Sequence, residues 1–236
     1  MPAIGSNFTR RFRMQIADRI HPITAIVYSD GGQFEALLQE VTAAMTEHGM
    51  RLAGLLQRSE PKPDRLKCDM HLQDLATGEL HRISDDRGPH ARGCVLNTDR
   101  LLRACATAEA GLSSRTDLMI LCKFGKTEVE GGGFRTLIAN ALDLSVRVLI
   151  GVPSINLTPF REFSAGLTRE IAMSELGSDG LAAARHLWPD LWLTRRNGGA
   201  RMNRPLEKVP LVSPSPLVSG MNGVKRFAPL LPIFER

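Results

Sequence analysis

The chain is poor in aromatic residues, which make up 5% of its 236 positions. Proteins that read RNA or single-stranded DNA commonly stack bases on aromatic side chains, so this scarcity argues against a stacking surface. The apolar runs are also short, and none approaches the roughly 18–20 residues that a membrane-spanning helix needs. We therefore expect neither nucleic-acid binding nor insertion into a membrane.

Cysteine is scarce as well, with four residues in the chain. No secretory hydrophobic segment precedes them, which predicts a cytoplasmic protein with free thiols. The spacings Cys68-x2-His71 and His90-x3-Cys94 would allow a Cys₂His₂ metal site, and Cys68 with Cys94 would allow a thiol pair. Because the intervening loop is long, ordinary core and surface positions explain these residues better. Cys68 and Cys94 are therefore only weak metal candidates.

The excess positive charge, a net +5, is concentrated at the two ends of the chain. Charge runs of this kind usually form solvated surfaces. We predict a flexible basic lead-in over residues 1–21, one α/β domain over residues 22–194 and a proline-rich basic extension over residues 195–236. The extension is the segment that we expect to contact a protein partner, if there is one.

Short apolar runs alternate with segments of helical periodicity along the predicted domain. Strands are predicted at 23–28, 52–56, 117–122 and 146–152, and helices at 34–45, 98–110, 134–142, 160–166, 167–176 and 181–192. Residues 68–72 and 80–83 flank a turn and predict a small hairpin insertion. This order is typical of a mostly parallel sheet flanked by helices.

Ligands of such sheets bind at the carboxyl ends of the strands, where three loops qualify: 29–33, 123–133 and 153–158. The first loop stands where a phosphate-binding loop would be. That motif, G-x-x-x-x-G-K-[ST], needs a lysine and a hydroxyl, and this chain has Gln33 and Phe34 there. A helix N-terminus still attracts anions, although a plain tight turn explains the loop better. The candidate contacts are Asp30, Gly31, Gly32 and Gln33.

The second loop, KFGKTEVEGGG, combines lysines, acids and three consecutive glycines directly after an apolar strand. Two lysines beside two acids would hold a phosphate or a metal-bound water, and glycines let the backbone approach a ligand closely. The alternative is an exposed charged turn. The candidate contacts are Lys123, Lys126, Glu128 and Gly131.

Three segments resemble an uncharacterised bacterial domain family, some of whose members are labelled molybdenum-transport ATP-binding proteins. They are CDMHLQDLATGEL (68–80), RGCVLNTDRL (92–101) and DLMILCKFGKTEVEGGGFR (117–135). That family is distantly similar to the P-loop nucleoside-triphosphatases. The resemblance implies a P-loop-NTPase-like fold that binds a nucleotide or an oxyanion such as phosphate or molybdate.

The resemblance also implies weak catalysis. Cys122 and Lys123 stand where P-loop enzymes carry an Asp-Glu pair that orients magnesium, while Gly125, Lys126 and Glu128 match the run that follows. We therefore predict binding of a small anionic ligand with little or no hydrolysis and a possible link to molybdenum metabolism. The alternatives are an active nucleoside-triphosphatase and a non-catalytic interaction subunit with a vestigial site.

Overall fold

The computed structural model describes residues 21–60, 69–85 and 95–196. The strands are β1 (Ile23–Tyr28), β2 (Leu52–Glu60), β3 (Asp69–Asp74), β4 (Leu80–Arg82), β5 (Ser84–Asp85), β6 (Val95–Leu96), β7 (Leu118–Leu121), β8 (Val148–Pro153) and β9 (Thr168–Ala172). The helices are α1 (Gly31–Glu47), α2 (Thr98–Ala110), α3 (Lys126–Val129), α4 (Arg135–Asp143), α5 (Leu157–Ser164), α6 (Gly180–Leu187) and α7 (Pro189–Arg196). Single 3₁₀ turns follow β8 at Ser154–Asn156 and β9 at Met173–Glu175.

One seven-stranded sheet organises the described part of the chain, with strand order β4-β3-β2-β7-β8-β1-β9. The five strands from β2 to β9 in this order pair in parallel. The prediction of a mostly parallel sheet flanked by helices is therefore confirmed. The hairpin of β3 and β4 also forms, but it pairs antiparallel with β2 and extends the main sheet. Strands β5 and β6 pair separately.

Apolar side chains cover both faces of the sheet, and each face has its own helices. Along β1, Ile23 and Ala25 pack in one hydrophobic cluster with side chains of α2, α4 and α5. Ile26 and Tyr28 pack in the other cluster with side chains of α1 and α6. We call these the α2 face and the α1 face. Strands buried on both sides lack polar alternation, which explains the continuous apolar runs of the sequence.

The segment 167–176 differs from its prediction. The sequence predicted a helix there, and this was wrong, because Thr168–Ala172 forms β9 beside β1 and a 3₁₀ turn follows. In this strand Ile171 is buried, whereas its neighbours are exposed or half-buried. A short strand at the edge of the described sheet has no continuous apolar run, so its pattern resembles that of an amphipathic helix.

The predicted helix over 181–192 is divided in two. Trp188 ends α6 and is buried, and Pro189 begins α7, as expected for a residue that fits the first position of a helix. Helix α7 continues to Arg196, so the boundary predicted at residue 195 falls inside a helix. On α2, Leu102 is 52% exposed, whereas Ala104 is buried.

Several predictions concern residues beyond the described ranges. The basic lead-in lies there except for residue 21, and so does the extension after residue 196, together with Cys68 and Cys94. Among the described helices, none has both the length and the hydropathy required to cross a lipid bilayer.

Candidate functional site

The connections after β1 and β8 leave the sheet on opposite faces. Strand β1 leads into α1 on the α1 face, whereas β8 leads into α5 on the α2 face. The two strands are hydrogen-bonded neighbours and end together, with Tyr28 opposite Pro153. In open α/β sheets the crevice between two such diverging connections is the usual ligand site. The carboxyl ends of β1 and β8 are therefore the place to search for function.

The turn between β1 and α1 is short and caps its own helix. Ser29 and Asp30 are the two residues between the elements, and the Asp30 carboxylate accepts a hydrogen bond from the Gln33 backbone N–H at 2.9 Å. This bond satisfies one donor of the first helical turn. Gly31 and Gly32 begin the helix and are exposed. The turn is thus a tight, capped connection rather than a long phosphate cradle.

An aromatic pair lies directly beneath this turn. The Phe34 ring stacks on the Tyr28 ring with centroids 4.1 Å apart and planes within 1°. Phe34 also lies against β8, where a Cβ atom on Gly151 would overlap its ring. Phe34 stands where a phosphate-binding loop carries its hydroxyl, so an apolar ring replaces that hydroxyl.

The second loop is organised by a buried carboxylate. Glu128 is 3% exposed and accepts hydrogen bonds from the backbone N–H groups of Gly125 at 2.7 Å and Phe134 at 3.0 Å. A Cβ atom on Gly133, whose φ is +60°, would overlap this carboxylate. Desolvation by burial raises the pKa of Glu128, although the two backbone donors act in the opposite direction. The carboxylate therefore holds the two ends of the loop together.

Replacing Glu128 with alanine is expected to lower the free energy of unfolding by about 2–3 kcal/mol, because the buried N–H of Phe134 and the half-buried N–H of Gly125 would lose their acceptor. Urea denaturation measures this. The matched control is Glu130→Ala in the same loop, where the carboxylate is 63% exposed and lies 3.6 Å from the Lys126 ammonium. That variant should stay within about 0.5 kcal/mol of wild type. Equal stabilities of the two variants would contradict the assigned role of Glu128.

Two other predicted contacts of this loop face solvent. The Lys126 side chain is 87% exposed and pairs with Glu130. Gly131 is exposed and follows α3 with a φ of +96°. Both residues follow Phe124 in the chain. The Phe124 backbone N–H donates a hydrogen bond to the Gly151 carbonyl oxygen of β8, so the chain leaves β7 at this point.

A cavity of about 120 Å³ lies at the carboxyl edge on the α1 face. Of the predicted contacts, Gly31 and Lys123 line it, so the structure brings the first two loops together at this point. The other lining residues were not predicted from the sequence. They are Tyr28, Phe34, Glu35, Leu38, Leu56, Gln57 and Cys122.

Four residues that line the cavity have ionisable side chains. Burial raises the pKa of the Tyr28 phenol and of the Cys122 thiol to about 12 in each case, so both are neutral at physiological pH. Glu35 and Lys123 supply the lining charges. The Glu35 carboxylate accepts a hydrogen bond from the Gln57 amide at 3.3 Å, so it is already engaged on the β2 side. Lys123 is the cationic residue of the lining, and Glu35 remains its anionic one.

The third predicted loop lies at the same edge. The Ser154 hydroxyl lies 3.4 Å from the Ser29 hydroxyl of the first loop. The Asn156 amide donates to the Phe124 backbone carbonyl of the second loop at 2.9 Å. All three loops are thus linked into one rim.

No metal centre is formed by the residues that the structure describes, since no three His, Cys, Asp or Glu side chains cluster suitably there. His71 lies on β3. Its suggested partners Cys68, His90 and Cys94 lie outside the described residues.

Comparison with known proteins shows the family. A family model described as "Protein of unknown function (DUF2478)" matches residues 23–177, from the start of β1 to two residues beyond the 3₁₀ turn after β9. The chain belongs to this family. The expected membership of an uncharacterised family is therefore confirmed.

A curated relative is the "Molybdenum import ATP-binding protein ModC 2" of Bradyrhizobium diazoefficiens. The chain is 27% identical to it over 145 residues, which are 61% of this chain and 16% of that protein. The chain therefore corresponds to only a small part of the length of that relative. No solved structure gives a significant match.

Proposed function

We propose that the protein binds a nucleotide or a small oxyanion at the cavity of its carboxyl edge, with little or no hydrolysis. The observation that carries the proposal is that Gly31, at the start of α1, and Lys123, after β7, line the same cavity. Backbone N–H groups at a helix start and an ammonium group are the two donors that proteins commonly use for phosphate.

The fold supports this assignment. In this fold, β1 turns directly into α1, and the connections after β1 and β8 go to opposite faces of the sheet. Open α/β proteins commonly hold phosphorylated ligands at such a place. We propose that the domain is P-loop-NTPase-like on this ground, together with its similarity to a protein named for ATP binding. The proposal includes a link to molybdenum, because the same relative is named for molybdenum import.

Weak hydrolysis follows from the groups present. Nucleoside-triphosphatases stabilise the leaving phosphates with a loop lysine and with Mg²⁺ held by a hydroxyl and an acid. Here Gln33 and Phe34 stand at the positions of the lysine and the hydroxyl. Cys122 lines the cavity where the acid would be needed. Lys123 can thus attract an anion, whereas positions 33, 34 and 122 do not supply the groups that activate phosphoryl transfer.

The size of the cavity restricts what enters it. Its volume of about 120 Å³ is well below the ~300–1,000 Å³ typical of sites that enclose a drug-sized ligand. A phosphate or a similar tetrahedral anion is the part of a ligand that we expect inside. Any larger group attached to it would lie on the rim.

A thermal-shift panel with ATP, GTP, ADP, phosphate and molybdate tests the proposal. A ligand that binds the native state at 100 times its Kd adds about 2.7 kcal/mol of stability, which corresponds to roughly 5–10 °C for a chain of this size. Phosphate release from ATP and GTP should stay near the uncatalysed background. The proposal fails if none of the five raises the Tm, and rapid phosphate release would favour an active nucleoside-triphosphatase.

A further inference from the structure

The cavity at the carboxyl edge contains an acid that the proposed function does not use. Glu35 lies near the start of α1, is half-buried and lines the cavity together with Lys123. A carboxylate repels a fully ionised anion, and beside a lysine it also offsets the positive charge that attracts one. A site built only to attract negative charge would be better without this side chain, so Glu35 needs its own explanation.

Two glutamine side chains hold the Glu35 carboxylate in place. One oxygen accepts a hydrogen bond from the Gln57 amide of β2 at 3.3 Å, and the other accepts from the Gln39 amide of α1 at 3.5 Å. Gln57 itself lines the cavity, so the carboxylate is oriented by a neighbour in the same lining. A carboxylate offers about four lone-pair positions. With these contacts Glu35 can still accept a hydrogen bond from a ligand.

The charges of the lining are balanced. Tyr28 and Cys122 are neutral because burial raises the pKa of each, which leaves Lys123 as the positive residue and Glu35 as the negative one. An anion without a proton would be attracted by Lys123 and repelled by Glu35. An oxyanion that carries a proton can accept a hydrogen bond from the Lys123 ammonium and donate one to Glu35. The second kind of ligand satisfies both charged groups, and the first leaves a like charge facing it.

We infer that Glu35 makes the cavity selective for a tetrahedral oxyanion that carries a proton at neutral pH, which is inorganic phosphate rather than sulfate or molybdate. This inference rests on the proposed function and names the ligand class of the same site. Inorganic phosphate keeps one or two protons at neutral pH, whereas sulfate and molybdate keep none. The terminal phosphate of a nucleotide is a poorer donor, because its second pKa is about 6. Glu35 is thus a specificity-determining residue.

Isothermal titration of the full chain with phosphate, sulfate and molybdate at neutral pH tests this inference. Sulfate is the matched probe, because it has the shape of phosphate and nearly its size but no proton. Wild type should bind phosphate at least about tenfold more tightly than sulfate, since a site that accepts a hydrogen bond from its ligand rejects an analogue without the donor. Molybdate should be rejected in the same way.

The variant Glu35→Gln removes the negative charge and keeps the shape of the side chain. It should weaken phosphate binding and strengthen sulfate binding, so that the two affinities come within about threefold of each other. The matched control is Glu47→Gln, which removes an exposed carboxylate at the other end of α1, about 18 Å further along the helix. At that distance exposed charges are screened, so the control should keep the wild-type ratio of the two affinities.

The outcomes separate this inference from the proposed function. Wild type that binds sulfate or molybdate as tightly as phosphate would overturn the inference and leave the anion site standing. A Glu35→Gln protein that keeps the wild-type ratio would do the same, and so would one that binds neither anion, because Glu35 would then only support the cavity. Wild type that binds a nucleotide but none of the three oxyanions would also refute the inference alone. Absence of binding to every one of these ligands would overturn both proposals.

Discussion

Replacing Gly151 with alanine is expected to lower the free energy of unfolding by about 3 kcal/mol, because the added methyl group has no space. The new Cβ atom would overlap the Phe34 ring and would lie 2.7 Å from the Cys122 backbone carbonyl oxygen. Gly151 lies in a buried strand between two hydrogen-bonded neighbours, so the backbone cannot move aside. Urea denaturation followed by circular dichroism measures the loss.

A second substitution identifies the cause. Phe34→Leu shortens the ring that opposes Gly151, and the double variant should show a favourable coupling of at least about 1 kcal/mol relative to the two single changes. The matched control is Gly32→Ala, where the added Cβ would lie 3.5 Å from the Asp30 carboxylate, an ordinary contact. A Gly151→Ala protein as stable as wild type would contradict the close packing of Phe34 on β8.

Replacing Lys123 with alanine is expected to weaken binding of the ligand that stabilises wild type by about 10- to 100-fold. A charge-assisted hydrogen bond contributes about 1.5–3 kcal/mol, and Lys123 is the cationic group that lines the cavity. At a ligand concentration that shifts the Tm of wild type by several degrees, the variant should show little or no shift. Titration calorimetry gives the two Kd values directly.

The control for this substitution removes the same charge from the same loop. Lys126 is solvent-exposed, pairs with Glu130 and belongs to α3 rather than to the cavity lining. Lys126→Ala should therefore bind the ligand within about twofold of wild type, since exposed pairs contribute little. If Lys126→Ala loses binding while Lys123→Ala keeps it, the ligand contacts α3, and the proposed site is misplaced.

The core of the fold could be predicted from the sequence because three strands are apolar on every face. β1, β7 and β8 are each covered by helices on both sides, so their runs contain no polar alternation to confuse the pattern. The peripheral elements could not be predicted as well. Thr168–Ala172 buries mainly Ile171, and the outer half of β2 pairs with β3 through polar residues. Such strands are defined by pairing partners rather than by local pattern.

Two of the residues that line the cavity were among the contacts predicted from the sequence, and the others were not. Gly31 and Lys123 were found because glycine and charge at the end of an apolar strand indicate a ligand loop. Leu56 and Gln57 also line the cavity, yet they gave no signal, since only the pairing of β2 with β7 brings them there. Glu128 illustrates the opposite case. Its acidic side chain predicted a ligand contact, whereas the structure shows both oxygens bonded to the loop backbone.

The two-residue turn after β1 constrains the backbone at the place where a phosphate-binding loop would stand. Val27 and Tyr28, which a glycine-rich cradle would need as free backbone, are paired with Val152 and Pro153 of β8. Introducing lysine at Gln33 and threonine at Phe34 would restore the missing side chains, but the amide groups of residues 27 and 28 would still be directed along the sheet. Point mutations alone would therefore not build a glycine-rich phosphate cradle at this turn, and an insertion that lengthens the connection would be needed.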